Sequence, residues 1–269
     1  MRGWTWRYCL VAVLAGWATF TALLIYNSSV VVEESAAAQA ATATTSSTIR
    51  VHITGAQQPL TVPSYSLLRT GNIWSYVSKE RGIDAQFVPP LVPLSGDYGD
   101  WLEDARVHPV IKKDLEALLN AAKSANTPLL ISSAYRSGAS QTTLLQETTI
   151  LNGSSYAEEY VAKPGHSEHQ LGLAVDLTTF SEACKHSFSG CKLDDKTTAW
   201  LADHAHEYGF ILRYPAGKEA ITGIAHEPWH FRYVGKNLAT LLHHSNLTFD
   251  EVYRQLEYKY TTSASKIQT

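Results

Sequence analysis

The sequence predicts an α+β fold: a single domain with a central antiparallel sheet flanked by helices, preceded by a transmembrane segment and a flexible linker. Three observations carry this. Helical and strand-like periodicities alternate in short pieces, Gly and Pro residues separate them, and no internal repeat is visible. The 269 residues, less an N-terminal segment, leave roughly 200, enough for one domain with a core of its own.

From Tyr8 to Val32 there is no charged residue, and Cys9 to Tyr26 is long enough to cross a bilayer as one helix. Arg2 and Arg7 precede this run and Glu33 and Glu34 follow it, which orients the N-terminus inward and the rest outward. Residues 1–33 are therefore expected to be a single-pass anchor that places the domain outside a bacterial cytoplasmic membrane. A cleaved signal peptide, giving a secreted protein, is the alternative, but Ala38-Gln39-Ala40 lies far beyond the apolar run for ordinary processing. Residues 34–49 are mostly Ala, Thr, Ser and Gln and read as a linker. Residues 50–70 form an extension without an assigned role, 71–259 the main domain, and 260–269 a disordered tail.

Within the domain, Val110, Ile111, Leu115, Leu118, Leu119 and Ala122 share a helical face, and Thr127-Pro128 ends that helix. Leu129 to Ser133 reads as a strand, Gln141 to Ile150 as a helix and Leu171 to Leu177 as a strand. Thr197 to Tyr208 reads as a helix stopped by Gly209, followed by strands at Phe210-Ile211-Leu212 and Trp229 to Val234. Thr248-Phe249-Asp250-Glu251 has capping-box spacing and predicts a final helix. A formal net charge of -3 gives no electrostatic case for binding nucleic acid. In an oxidising compartment Cys184 and Cys191, which bracket a short polar loop, are expected to form a disulfide.

Three segments carry candidate chemistry. In His169-Gln170-Leu171-Gly172-Leu173-Ala174-Val175-Asp176, alternation along an extended Gly172–Leu177 puts Gly172, Ala174 and Asp176 on one face. A carboxylate on a strand face needs compensation, and a divalent cation shared with His169 supplies it. Spacing alone leaves a second reading equally open, with Asp176 capping a turn or pairing with an arginine. The second segment, His226-Glu227-Pro228-Trp229-His230, has the letters of the helical H-E-x-x-H zinc motif, but Pro228 opposes a helix. It reads instead as a turn leading into a strand, with His230 as ligand, Glu227 as base and His226 peripheral. His169, Asp176 and His230 would then form a three-ligand N/O site with a fourth position for water. In the third segment, Ser133-Ala134-Tyr135-Arg136-Ser137, Arg136 sits where a strand turns and can hold a carboxylate or an oxyanion.

Together with Gln141, Ser167-Glu168 and Trp229, these segments resemble the three ordered signatures of the VanY-type D-alanyl-D-alanine carboxypeptidases. The wider group includes LD-carboxypeptidases, VanX-type dipeptidases and murein endopeptidases. The resemblance runs from about Gly71 to Val234. It implies one Zn²⁺ per chain on His169, Asp176 and His230, Glu227 as catalytic base, Arg136 in catalysis and substrate binding, and further substrate contacts from Ser133 and Gln141. It also implies peptidoglycan stem peptides as substrates, losing a C-terminal D-Ala. L,D-specific cleavage of tetrapeptide stems, or a wall-binding module that keeps the fold without the chemistry, are the alternatives.

Overall fold

A computed structural model describes residues 48–63, 72–102 and 104–257. The expected anchor at 1–33, nearly all of the linker and the tail at 260–269 lie outside the described residues. Among the described residues no helix is long and apolar enough to cross a membrane.

Eight strands and seven helices follow in chain order. The first four strands, β1 (Thr48–Val51), β2 (Leu60–Pro63), β3 (Val92–Pro93) and β4 (Arg106–Val107), make two small antiparallel ribbons. Helix α1 (Pro109–Ser124) leads into β5 (Leu129–Ser133), α2 (Gly138–Asn152) and α3 (Ser154–Tyr160). Strand β6 (Ala174–Thr179) is followed by α4 (Glu182–His186) and α5 (Asp195–His204). Then come β7 (Phe210–Leu212), α6 (Glu219–Thr222), β8 (His230–Tyr233) and α7 (Lys236–Ser245), with a further helical run over 249–257. The central sheet has the order β5-β6-β8-β7, and every neighbouring pair is antiparallel. The predicted α+β architecture with an antiparallel sheet is therefore present.

One face of this sheet is apolar. Ile131, Val175, Leu177 and Phe231 pack with Ile111, Leu115 and Leu118 of α1 in the larger core. The helix forms because its apolar positions recur at 3.6-residue spacing, while His108 Nδ1 caps it by accepting the Val110 N–H at 3.2 Å and Pro109 occupies the first turn. The described part of the extension, residues 50–63, is no appendage: Val51, Ile53 and Leu60 join Leu238, Leu242, Phe249 and Val252 in a second core. The predicted capping box is also formed, with the Thr248 N–H donating to Glu251 Oε2 at 2.8 Å and the Glu251 N–H to Thr248 Oγ1 at 3.1 Å.

The strand expected over Leu171–Leu177 needs correction. Glu168–Leu171 is a 3₁₀ turn, Gly172 adopts a left-handed conformation at φ 66°, and the strand begins at Ala174. Gly172 consequently does not share a strand face with Asp176. It turns the chain beside α1, where its carbonyl accepts the His108 N–H at 2.9 Å. A Cβ there would stand 2.9 Å from the His108 backbone nitrogen, too close for any side chain.

Candidate active site

The register of three strands creates the site. Ser133 on β5 pairs with Asp176 on β6, and Asp176 pairs with His230 on β8, so the three lie in one row across the face opposite α1. Alternation along β6 and β8 sends Val175, Leu177 and Phe231 to the core and leaves Asp176 and His230 on the other face, while on β5 a register shift between Ile131 and Ser133 breaks the alternation and sets Ser133 opposite Asp176. The 3₁₀ turn just before β6 brings His169 to the same point.

The candidate ligand atoms converge. Asp176 Oδ1 lies 3.3 Å from His169 Nε2 and 3.1 Å from His230 Nδ1, and the three side chains each offer one atom within 4.8 Å of the others. Zinc bonds of about 2.0–2.2 Å in a tetrahedral arrangement put ligand atoms about 3.3 Å apart, so the spacing suits Zn²⁺. The buried His169 Nε2 and Asp176 Oδ1 have no hydrogen-bond partner among the described residues. The alternative of Asp176 as a plain ion-pair partner fits less well, because Arg136 Nη2 stands 3.8 Å from its Oδ2 while Oδ1 faces the two imidazoles.

Each imidazole is oriented from behind. His169 Nδ1 lies 2.7 Å from the Ala134 carbonyl and so carries the proton, which turns the lone pair of Nε2 into the site. Backbone bonds fix the same corner, with the Tyr135 N–H donating to the Arg106 carbonyl at 2.9 Å and the Gly172 N–H to the His169 carbonyl at 3.0 Å. His230 presents the opposite nitrogen, Nδ1, while its Nε2 faces Glu168 Oε2 at 3.5 Å.

Glu227 stands beside the ligands. Its Oε2 is 3.6 Å from His230 Nδ1, in a turn through Pro228 and Trp229 closed by the His230 N–H donating to the Glu227 carbonyl at 3.2 Å. Residues 226–229 are not helical, His226 is exposed, and its Nδ1 lies 2.9 Å from the Tyr214 carbonyl. The helical H-E-x-x-H geometry is thus absent. Burial pushes the Glu227 carboxyl up to about 7, against the pull of His230 in the other direction.

Arg136 reaches the same cleft from the loop after β5, its Nη2 donating to Ser133 Oγ at 3.1 Å. Ser133, expected to contact substrate, is hydrogen-bonded to the Arg136 guanidinium. Gln141 is buried on α2, with Nε2 donating to the Ala162 carbonyl at 2.7 Å and Oε1 without a partner among the described residues. The cavity around these groups has a volume of about 340 Å³. One wall is the α2 face of Gln141, Leu144 and Thr148, and its rim carries Tyr156, Phe188 and Trp229. Phe188 comes from the loop closed by the Cys184–Cys191 disulfide, which is formed. His166, by contrast, braces the 78–82 segment, with Nδ1 2.6 Å from the Ser78 carbonyl and its ring against Gly82.

Sequence reasoning missed the layer beneath the ligands. Glu168 Oε1 accepts from Arg213 Nε at 2.8 Å and Arg232 Nη1 at 2.7 Å, with all three side chains out of solvent. Arg213 continues to Asp250, whose Oδ1 also accepts from Tyr76 Oη at 2.7 Å. The available signal was an arginine inside each of two apolar strands, Phe-Ile-Leu-Arg-Tyr and His-Phe-Arg-Tyr-Val, since a buried guanidinium requires a buried partner.

An antiparallel sheet with two imidazoles, two carboxylates and a guanidinium around one cleft defines the class: a metallopeptidase. The family model described as VanY, D-alanyl-D-alanine carboxypeptidase, matches residues 104–236. The putative carboxypeptidase YodJ of Bacillus subtilis (strain 168) is 33% identical over 190 residues, covering 69% of this chain and 68% of YodJ. The structure of the LD-carboxypeptidase LdcB superposes with a TM-score of 0.60 at 32% identity, over 70% of this chain and 88% of LdcB. A variant of the D,D-pentapeptidase VanY from a VanB-type resistance cassette, in complex with Zn(II), superposes with a TM-score of 0.56 at 33% identity, over 66% of this chain and 97% of that one. The chain belongs to the VanY family of D-alanyl-D-alanine carboxypeptidases.

Proposed function

We propose that this chain is a zinc carboxypeptidase that removes the C-terminal D-Ala from peptidoglycan stem peptides. The observation carrying this reading is the convergence of His169 Nε2, Asp176 Oδ1 and His230 Nδ1, with Glu227 and Arg136 in the same cleft. When bound at the three ligands, Zn²⁺ would polarise the scissile carbonyl and lower the pKa of a water toward neutrality.

The chain's own residues do the rest. Arg136, braced by Ser133, holds the terminal carboxylate or the developing oxyanion through paired N–H donors. Glu227 takes a proton from the attacking water as the C–O bond forms, then delivers it to the departing amine nitrogen as the C–N bond breaks. A carboxyl raised to about 7 by burial suits both steps at neutral pH. The unpartnered Oε1 of Gln141 is an acceptor for a peptide N–H. Ser133 thus acts through Arg136, and Gln141 touches the peptide directly.

The N-terminal run with Arg2 and Arg7 on one side and Glu33 and Glu34 on the other supports a single-pass anchor holding the domain, residues 71–259, outside the membrane and near the wall. The similarity to LdcB favours, as a second reading, cleavage of an L,D-linked end. Mass analysis of products from defined pentapeptide and tetrapeptide stems separates the two. Loss of D-Ala from the pentapeptide supports D,D specificity, and loss from the tetrapeptide alone supports L,D. No trimming of either by zinc-loaded protein sinks the enzyme reading and leaves the wall-binding module.

A further inference from the structure

The two imidazoles of the metal centre are steadied in different ways. His169 rests on a main-chain carbonyl, that of Ala134, at 2.7 Å. His230 has no such support on its outer nitrogen. Its Nε2 faces Glu168 Oε2 at 3.5 Å, and both atoms are buried without a hydrogen-bond partner among the described residues. The other oxygen of Glu168 is engaged by Arg213 and Arg232, so the carboxylate has one oxygen held and one aimed at the ring. The arginines are themselves fixed, Arg232 by donating to the Ile73 and Ser75 carbonyls at 3.0 and 2.7 Å and Arg213 by Asp250.

We propose that Glu168 is a positioning residue of the metal centre: it accepts the Nε2–H of His230 and so keeps the bare Nδ1 turned toward Asp176 and Glu227. Carboxylate-buttressed imidazoles bind metal more tightly because tautomer and ring angle are set in advance. The two arginines make Glu168 a fixed acceptor where a lone carboxylate could rotate away. Through Arg213, Asp250 and Tyr76 the ligand is tied to the 72–76 segment and to the C-terminal helical run.

The inference rests on the ligand assignment above, and the experiment separates the two. Zinc affinity is measured by competition with a chromophoric chelator for the wild type, Glu168→Gln and Asp250→Asn, with circular dichroism confirming the fold. The glutamine keeps an oxygen for the arginines but turns an NH₂ toward His230, where it cannot accept. Weakening of about 10–100-fold is expected for Glu168→Gln. Asp250→Asn alters the same buried network without touching His230, and should stay within about threefold of the wild type. A folded Glu168→Gln that binds zinc as the wild type does overturns the positioning role, and so does equal weakening in both variants. Wild type that binds no zinc overturns the ligand assignment instead. If Glu168→Gln does not fold, imidazole ¹⁵N NMR of the zinc-loaded wild type decides. A His230 Nε2 proton shifted far downfield, as in a hydrogen bond to a carboxylate, supports the proposal, an unshifted Nε2 proton ends it, and a proton on His230 Nδ1 overturns the ligand assignment instead.

Discussion

At Glu227 two influences compete: burial disfavours the charged carboxylate, while the neighbouring His230 favours it, and burial wins. That balance suits a group that must accept and then return one proton. Glu227→Gln keeps the shape and removes the base, so kcat should fall by about 10²–10⁴-fold with zinc content unchanged. Turnover within a few-fold of wild type would mean that another group takes the proton. His169 of the first segment and His226 of the second offer a paired comparison. His169→Ala should abolish zinc binding, whereas His226→Ala, altering an exposed ring whose Nδ1 lies against the Tyr214 carbonyl oxygen, should keep it. The reverse ordering, read by metal analysis of the purified variants, would restore the helical-motif assignment.

At the scale of elements, the turn between the first ligand and β6 is tightly constrained. Gly172 combines a left-handed backbone with contact against the main chain of His108, so Gly172→Ala meets both strain and a clash. We expect a loss of about 2 kcal/mol in unfolding free energy, measured by denaturant titration. A loss under about 0.5 kcal/mol would show that the turn relaxes freely. The disulfide-closed loop makes a different contribution. Its Phe188 is exposed, yet it lies against Trp101 with ring centroids 6.0 Å apart, and the Lys185 carbonyl accepts the Asp100 N–H at 2.8 Å. A held aromatic at the rim suggests contact with the bound peptide, so Phe188→Ala should raise KM several-fold and leave kcat alone. Unchanged kinetics on a full stem peptide would remove the loop from substrate binding.

For the whole molecule, the Glu168–Arg213–Arg232 layer joins the sheet to the second core, and its charge balance sets a pH dependence. Burial would raise the Glu168 carboxyl, but Arg232 and Arg213 outweigh it and hold the group well below the usual carboxylate range. A folded-state pKa below the unfolded value of about 4.3 contributes stability that is complete above that value and drains away as pH falls through the folded one. The Glu168 contribution to stability should therefore be flat above about pH 5 and decline on acidification. Glu168→Gln, where it folds, should flatten that decline, and thermal denaturation across the acid range reads it. An equally steep decline in the variant would assign the acid sensitivity to other groups.

Much of this was legible in the letters because local rules governed it. The α1 stripe, the Thr248 capping box, the Gly209 stop and the refusal of Pro228 to be helical each depend on residues within a turn or two of one another. The identity of the candidate ligands was readable too, since donor chemistry belongs to the side chain. What tertiary structure alone decided was pairing. That Asp176 stands opposite His230 and Ser133, that one imidazole offers Nε2 and the other Nδ1, that Val51, Ile53 and Leu60 pack into a core, and that Glu168 lies between two arginines all depend on contacts distant in sequence. Side-chain types and short-range spacing are written along the chain, whereas register across a sheet and the partner of a buried charge exist only once the chain has closed on itself.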